Sequence, residues 1–169
     1  MARLTIFFVF WASQIFGVTC QTELFNATYF ANCVSDLEKD DVRLFLSDQS
    51  EKKFNHFTNV KKYLKEDLNL SLGFGMNAGM FFPNYDPVGL YIEEKKVING
   101  VIEKATYGNF GMLPNGIFCI QEKKANVIET SDYISMKPEC NFATQSGPLL
   151  VINGMLHQKF IKDSSSKYI

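Results

Sequence analysis

Three spacings of hydrophobic and polar positions succeed one another along the chain. Residues 28–34 and 42–47 hold β-branched and aromatic side chains on either side of an acidic turn, Asp36 to Asp41, and read as two β segments. The spacing then changes. Phe54, Phe57, Val60, Leu64 and Leu68 fall on one face of a helix predicted over 54–68, with Lys61, Lys62, Lys65 and Glu66 mostly on the wet side. His56, in its first turn, reads as a surface residue. Further on, 88–92 and 96–101 read as a hairpin closed by Glu93-Glu94-Lys95. Residues 115–121 and 125–130 read as a second hairpin around Glu122-Lys123-Lys124. A polar stretch over 131–141 follows, then strand, turn and strand over 142–152. Asn153-Gly154 is the dipeptide of a primed hairpin turn. No internal repeat is visible. These elements predict a strand-rich α+β domain with one good helix.

One stretch does not fit a simple period. Residues 72–90, LGFGMNAGMFFPNYDPVGL, mix glycine, proline and asparagine with bulky apolar side chains. A buried strand over 70–76 breaking into a tight turn at Asn77-Ala78-Gly79 is the economical reading, because Gly adopts positive φ freely and Asn tolerates it. A turn at a strand end presents backbone N–H groups and an amide where polar ligands tend to bind. A purely structural turn is the alternative. Tyr107-Gly108-Asn109-Phe110-Gly111 reads as another glycine-bracketed turn.

Composition narrows the function classes. The chain has 169 residues, enough for one domain with a real core, and its hydrophobic content of 46% argues against disorder. A net charge of −1 gives no reason to expect a nucleic-acid partner. Arg3 followed by the apolar run 4–18 reads as an export signal, too short for a comfortable membrane span. Residues 1–20 are therefore assigned to a signal peptide or lipoprotein signal, and 21–169 to the domain. Cys20 is a candidate lipid attachment point, although Gly17 and Thr19 before it make a poor lipidation box. Cleavage without lipid and an uncleaved anchor are the other options. The expected location is exported: periplasmic, secreted or lipid-anchored.

The four cysteines form no CxxC pair, and His56 and His157 are far apart, so neither a metal nor another cofactor is expected. An exported protein permits a disulfide among Cys33, Cys119 and Cys140. Cys119 alternates along an apolar strand and reads as a small buried residue. Asn26-Ala27-Thr28 and Asn69-Leu70-Ser71 are glycosylation sequons, relevant only in a eukaryotic secretory pathway.

Polar residues gather at predicted strand ends: Asn77 with Gly79, Asn109 with Asn115, and Gln145 with Ser146, followed by 157–166 beyond the last hairpin. Amides and hydroxyls suit hydrogen bonding to sugar hydroxyls and phosphate oxygens, but they are poor acids and bases. Ser146, His157 and Asp163 have the residue types of a serine hydrolase. Thr144-Gln145-Ser146-Gly147 lacks the first glycine of a GxSxG elbow, and proximity in sequence does not make a triad. A two-carboxylate glycosidase has only Asp86 and Asp163 near these stretches, and Asp86 before Pro87 reads as a turn residue.

The motifs taken together carry a resemblance. Met76-Asn77-Ala78-Gly79-Met80-Phe81, Pro87-Val88-Gly89-Leu90-Tyr91, Gly108-Asn109-Phe110, Pro114-Asn115-Gly116-Ile117-Phe118 and Ala143-Thr144-Gln145-Ser146-Gly147-Pro148-Leu149-Leu150 resemble, in order and spacing, the phosphodiester glycosidase domain family. Its members include an N-acetylglucosamine-1-phosphodiester α-N-acetylglucosaminidase and bacterial exported proteins. The resemblance runs from about Thr28 to Ile169. It implies an α+β fold with a mixed sheet, and hydrolysis of a sugar-1-phosphodiester. By the same resemblance Asn77 and Gly79 line a sugar-phosphate pocket, Gln145, Ser146 and Gly147 form another wall, and Asn115, His157 and Asp163 stand at the rim. It assigns no nucleophile or general acid.

The family continues past this point with an Arg-Asn-Gly-type motif and an Asp-Gly-rich turn. Neither is present here, where the arginines are Arg3 and Arg43. The expectation is a domain incomplete at its C-terminus, either a fragment or a degenerate copy. Its partner would be a sugar phosphodiester or glycan, with no nucleic acid, and with a membrane only through a lipid at Cys20. A non-catalytic carbohydrate-binding or decayed surface module is the alternative. A structural domain with its turns filled by their own hydrogen bonds is a third.

Overall fold

A computed structural model describes residues 17–104 and 108–157. The chain is α+β. Its centre is a five-stranded sheet in the order β4-β3-β7-β5-β6, built from β3 (Tyr91–Glu93), β4 (Lys96–Asn99), β5 (Gly116–Gln121), β6 (Lys124–Glu129) and β7 (Phe142–Ser146). Every pairing in it is antiparallel, so the expected mixed sheet is corrected to an antiparallel one. The two predicted hairpins form β3–β4 and β5–β6, and β7 inserts between them. Its backbone pairs with β3 on one side and with β5 on the other, which joins the hairpins into one sheet. Glu94 and Lys95 both adopt positive φ, the geometry a two-residue turn needs to match strand twist.

The core lies on one face of this sheet. Leu90, Ile92, Ile117, Cys119, Cys140 and Ala143 are buried together, with Tyr133 packed against them. Tyr133 belongs to a helix, α2 (Thr130–Met136), where sequence periodicity suggested only a polar stretch. Two turns with few apolar positions give too weak a periodic signal, and Lys137 in the left-handed conformation ends the helix before Pro138. Cys119 is not a free buried residue: it is bonded to Cys140, and this link staples β5 to the segment that leads into β7.

The first helix, α1 (Phe57–Glu66), starts three residues later than the periodicity suggests. Asn55 sits at φ 59°, which breaks a helix there. Phe54 is buried ahead of it, its ring 5.1 Å from that of Tyr63. Two predicted strands do not form. Residues 42–47 contribute only a bridge between Ser47 and Lys53, because the Leu46 N–H donates to the Glu93 carboxylate rather than to a strand. Residues 70–76 are irregular, with Leu72 their only half-buried side chain.

A separate hairpin, β1 (Thr19–Phe25) and β2 (Thr28–Val34), turns at Asn26-Ala27 and is closed by a Cys20–Cys33 disulfide. Strand β1 crosses the expected domain boundary, with Thr19 and Cys20 on the signal side and Gln21 to Phe25 on the domain side. The bond uses the sulfur that a lipid thioether would need, so pairing and lipidation of Cys20 are mutually exclusive states. A short third ribbon, β8 (Val151–Ile152) and β9 (Met155–Leu156), turns at Asn153-Gly154 as the sequence predicts. Among the described residues no helix is long and apolar enough to cross a membrane. Two disulfides are compatible with an oxidising compartment.

Glu93 accepts from the Leu46 N–H at 3.0 Å and from the Tyr91 hydroxyl at 2.9 Å. Burial lifts its carboxyl above the ordinary value of 4.5. A raised carboxyl favours the folded state when protonated. That contribution is fully present below pH 4.5 and is lost as pH rises through the elevated folded value. Glu93→Gln keeps an acceptor and removes the titration. Urea midpoints measured across this window should fall with pH in the parent more steeply than in the variant.

Candidate functional site

The motif segments converge at one end of the central sheet, where β7 finishes and β5 begins. Gln145 is the centre. It is 1% exposed, and every polar atom of its side chain is engaged. Its Oε1 accepts from the backbone N–H of Leu90 at 3.1 Å and of Ile102 at 3.0 Å. Its Nε2 donates to the Ile102 carbonyl at 2.7 Å and lies 3.2 Å from Thr130 Oγ1 and 3.4 Å from Asn115 Oδ1. One side chain thus ties β7 to the start of β3 and to the segment after β4.

Asn115 closes the other half of the network. Its Nδ2 donates to the Phe110 carbonyl at 3.3 Å, and its Oδ1 accepts from the Thr130 hydroxyl at 2.7 Å. The Thr130 N–H donates to the Asn115 carbonyl, fastening the start of α2 to the start of β5. Buried amides need partners, and here protein groups supply all of them. The resemblance makes Gln145 part of a pocket wall and sets Asn115 at the rim. They instead hold the walls of the site in place.

Glycines let these walls meet. A Cβ on Gly79 would lie 2.5 Å from Thr144 Oγ1 and 3.4 Å from the Gln145 carbonyl oxygen. A Cβ on Gly89 would lie 2.6 Å from both Gln145 Oε1 and Phe110 Cζ, and one on Gly147 would lie 2.6 Å from Asn115 Cβ. No residue of the Asn77-Ala78-Gly79 segment has positive φ, so the expected left-handed turn is corrected to a close approach. Asn77 itself is exposed just outside this contact.

Beside the network runs an open groove of about 720 Å³. Gly79, Phe81, Phe82, Ile102, Asn109 and Phe110 are among its walls, and among the described residues the lining carries no ionisable side chain. Phe81 and Tyr85 stack with centroids 5.8 Å apart, and both remain partly open to solvent. Gln145 and Asn115 stand behind this lining, not in it.

The remaining predicted site residues are distributed as follows. Ser146 is half-buried at the end of β7, paired with Gly116. His157 is buried, its Nε2 3.2 Å from the Leu113 carbonyl oxygen. Asp163 lies outside the described residues. Asp86 forms an ion pair with Lys53 at 2.6 Å, and that hydrogen-bonded cation holds its carboxyl below the usual range. It is a base already engaged and a poor proton donor. Arg43 is paired with Asp41 at 2.6 Å and lines a second cavity of about 390 Å³ by the Glu94 and Glu122 turns, at the opposite end of the sheet. It is not placed to neutralise a phosphate in the groove. Among the described residues no three His, Cys, Asp or Glu side chains are grouped to hold a metal ion.

Sequence reasoning did not single out Thr130, Ile102 or Thr144. Thr130 sits at a strand-to-helix joint with no motif around it, and Ile102 contributes through its backbone.

Over 94 aligned residues the chain is 32% identical to "Uncharacterized protein YigE" of Escherichia coli (strain K12). The aligned stretch is 56% of this chain and spans 37% of the length of that relative. No family model matches the chain, and no solved structure matches it.

Proposed function

We propose that this chain is the sugar-binding part of an exported hydrolase that cleaves a sugar-1-phosphodiester. The observation that carries the reading is the convergence of separate motif segments on Gln145, beside a groove with aromatic and amide walls. Phe81 and Phe82 offer faces for the apolar side of a sugar ring, and Asn109 offers donors and an acceptor for its hydroxyls. Export accords with the two disulfides. Among the described residues that line the groove none is charged, so the same groove also supports a second reading, a carbohydrate-binding module without catalysis.

One experiment separates them. The chain is titrated with a panel of sugar-1-phosphodiesters by calorimetry, and free sugar is assayed in the same samples. Binding with release supports the hydrolase, and binding without release supports the module. Phe81→Ala should weaken binding about ten-fold through loss of one ring contact, with the circular dichroism unchanged. Neither binding nor release from the folded chain sinks both readings.

A further inference from the structure

The two edges of the central sheet are not alike. At one edge β4 is short, and its pairing with β3 shifts register between Tyr91 and Ile92. The Asn99 side chain turns back onto the Pro87 and Gly89 carbonyls. Short strands and bulges keep a sheet edge from pairing with another chain. At the other edge β6 pairs with β5 from Lys124 to Glu129 with no bulge and no proline. Among the described residues no strand lies beyond β6, and Lys124 to Val127 are all exposed.

Glu122-Lys123 is a two-residue turn, so Gln121 and Lys124 exchange backbone hydrogen bonds and the pattern alternates from there. Lys124, Asn126 and Ile128 point their N–H and C=O groups at β5. Ala125, Val127 and Glu129 point theirs outward, away from the sheet. The side chains of these three share the face opposite the core, because Ile128 packs on the core side. On that face Val127 is 66% exposed and stands beside Phe118, at 37%. The strand, Lys-Ala-Asn-Val-Ile-Glu, is basic at one end and acidic at the other. An antiparallel copy of the same strand meets each end with the opposite charge.

We propose that two copies of the chain pair antiparallel through β6, about a two-fold axis at Val127. Outward groups bond only with outward groups, and centring the pairing on Val127 uses all of them. Val127 bonds with Val127 of the second copy, and Ala125 with Glu129 of the second copy. The Phe118 and Val127 side chains of both copies then form one apolar row across the junction. Glu129 runs alongside Lys123 and Lys124 of the second copy, while Lys123 also meets Glu38 of its own chain. A two-fold contact closes on itself, so the assembly stops at two copies. This inference does not depend on the reading of the groove.

Sedimentation velocity of the full chain over a range of concentrations measures the association, and introduced cysteines locate it. Val127→Cys places two thiols across the axis, where hydrogen-bonded opposite residues lie about 5.5 Å apart, within disulfide reach. It should give a disulfide-linked dimer in oxidised glutathione. Asn126→Cys, on the other face and off the axis, should not, and neither should Val97→Cys, exposed on β4. Val127→Lys sets like charges against each other and should weaken the association about ten-fold or more, with the dichroism unchanged. A chain that stays monomeric at every concentration overturns the proposal. So does an association that Val127→Lys leaves unchanged, which means that another surface, such as the apolar run 4–18, holds the copies together. Equal linking through Val127→Cys and Val97→Cys also overturns it, as does linking through Asn126→Cys alone, which means that the axis lies elsewhere on the strand.

Discussion

Gln145→Leu should cost the fold about 3 to 5 kcal/mol, the largest effect expected of any single substitution here. Leucine fits the volume but leaves the Leu90 N–H, the Ile102 N–H and the Ile102 carbonyl without the partners they have now. The buried Leu90 N–H so orphaned carries a penalty of about 1–3 kcal/mol, and the two half-buried Ile102 groups add about 1 kcal/mol each. Thr130 and Asn115 lose a neighbour as well. Urea denaturation followed by far-ultraviolet dichroism measures the loss, and a change below about 1 kcal/mol would show that the network is not what holds these segments. Asn115→Ala and the Gln145→Leu, Asn115→Ala double variant complete a cycle. Because both side chains belong to one network, the double variant should lose less than the sum of the singles. Loss of ligand binding in a Gln145 variant therefore reports on the walls of the groove, and Phe81 is the residue that reports on contact with ligand.

The second large effect is expected at Cys119–Cys140. Both residues are buried, and the bond closes a loop with a sequence separation of 21. Constraining an unfolded loop of that size is worth about 3 kcal/mol in the chain-entropy account. The Cys119→Ala, Cys140→Ala pair should lower the melting temperature by roughly 6–12 °C. The contrasting pair, Cys20→Ala with Cys33→Ala, should leave the main transition where it is, because among the described residues no other strand or helix packs substantially against the hairpin it closes. Its effect should be confined to amide exchange within β1 and β2. Equal shifts from the two pairs would contradict the separation of hairpin and sheet.

Several elements were legible for local reasons. Both central hairpins and the Asn153-Gly154 turn follow from runs of strand-forming residues around short polar connections, and these signals act over a few residues. Helix α1 was legible by its face, but its start was not, because the periodicity continues through Asn55 while the backbone there does not. Residues 42–47 and 70–76 have strand-like composition and lack strand partners. Whether a segment becomes a strand depends on a free edge to pair with, which no local pattern encodes. The role of Cys119 was hidden for a related reason: a buried thiol and half of a disulfide look alike until the fold brings Cys140 beside it.

The candidate site divides in the same way. From its sequence alone the chain determined that glycine and amide residues cluster in a few short motifs, that the domain is strand-rich α+β, and that its cysteines suit an oxidising compartment. These properties are set by residue chemistry and short-range spacing. Only the tertiary structure decided that Gly79, Gly89 and Gly147 are close approaches of one segment to another, that Gln145 and Asn115 turn inward, and that Phe81, Phe82 and Asn109 are left facing the groove. An amide looks the same in sequence whether it meets a ligand or a neighbouring backbone. What separates the two cases is whether partners from distant segments arrive to fill its hydrogen bonds, and that is settled when the sheet closes around it.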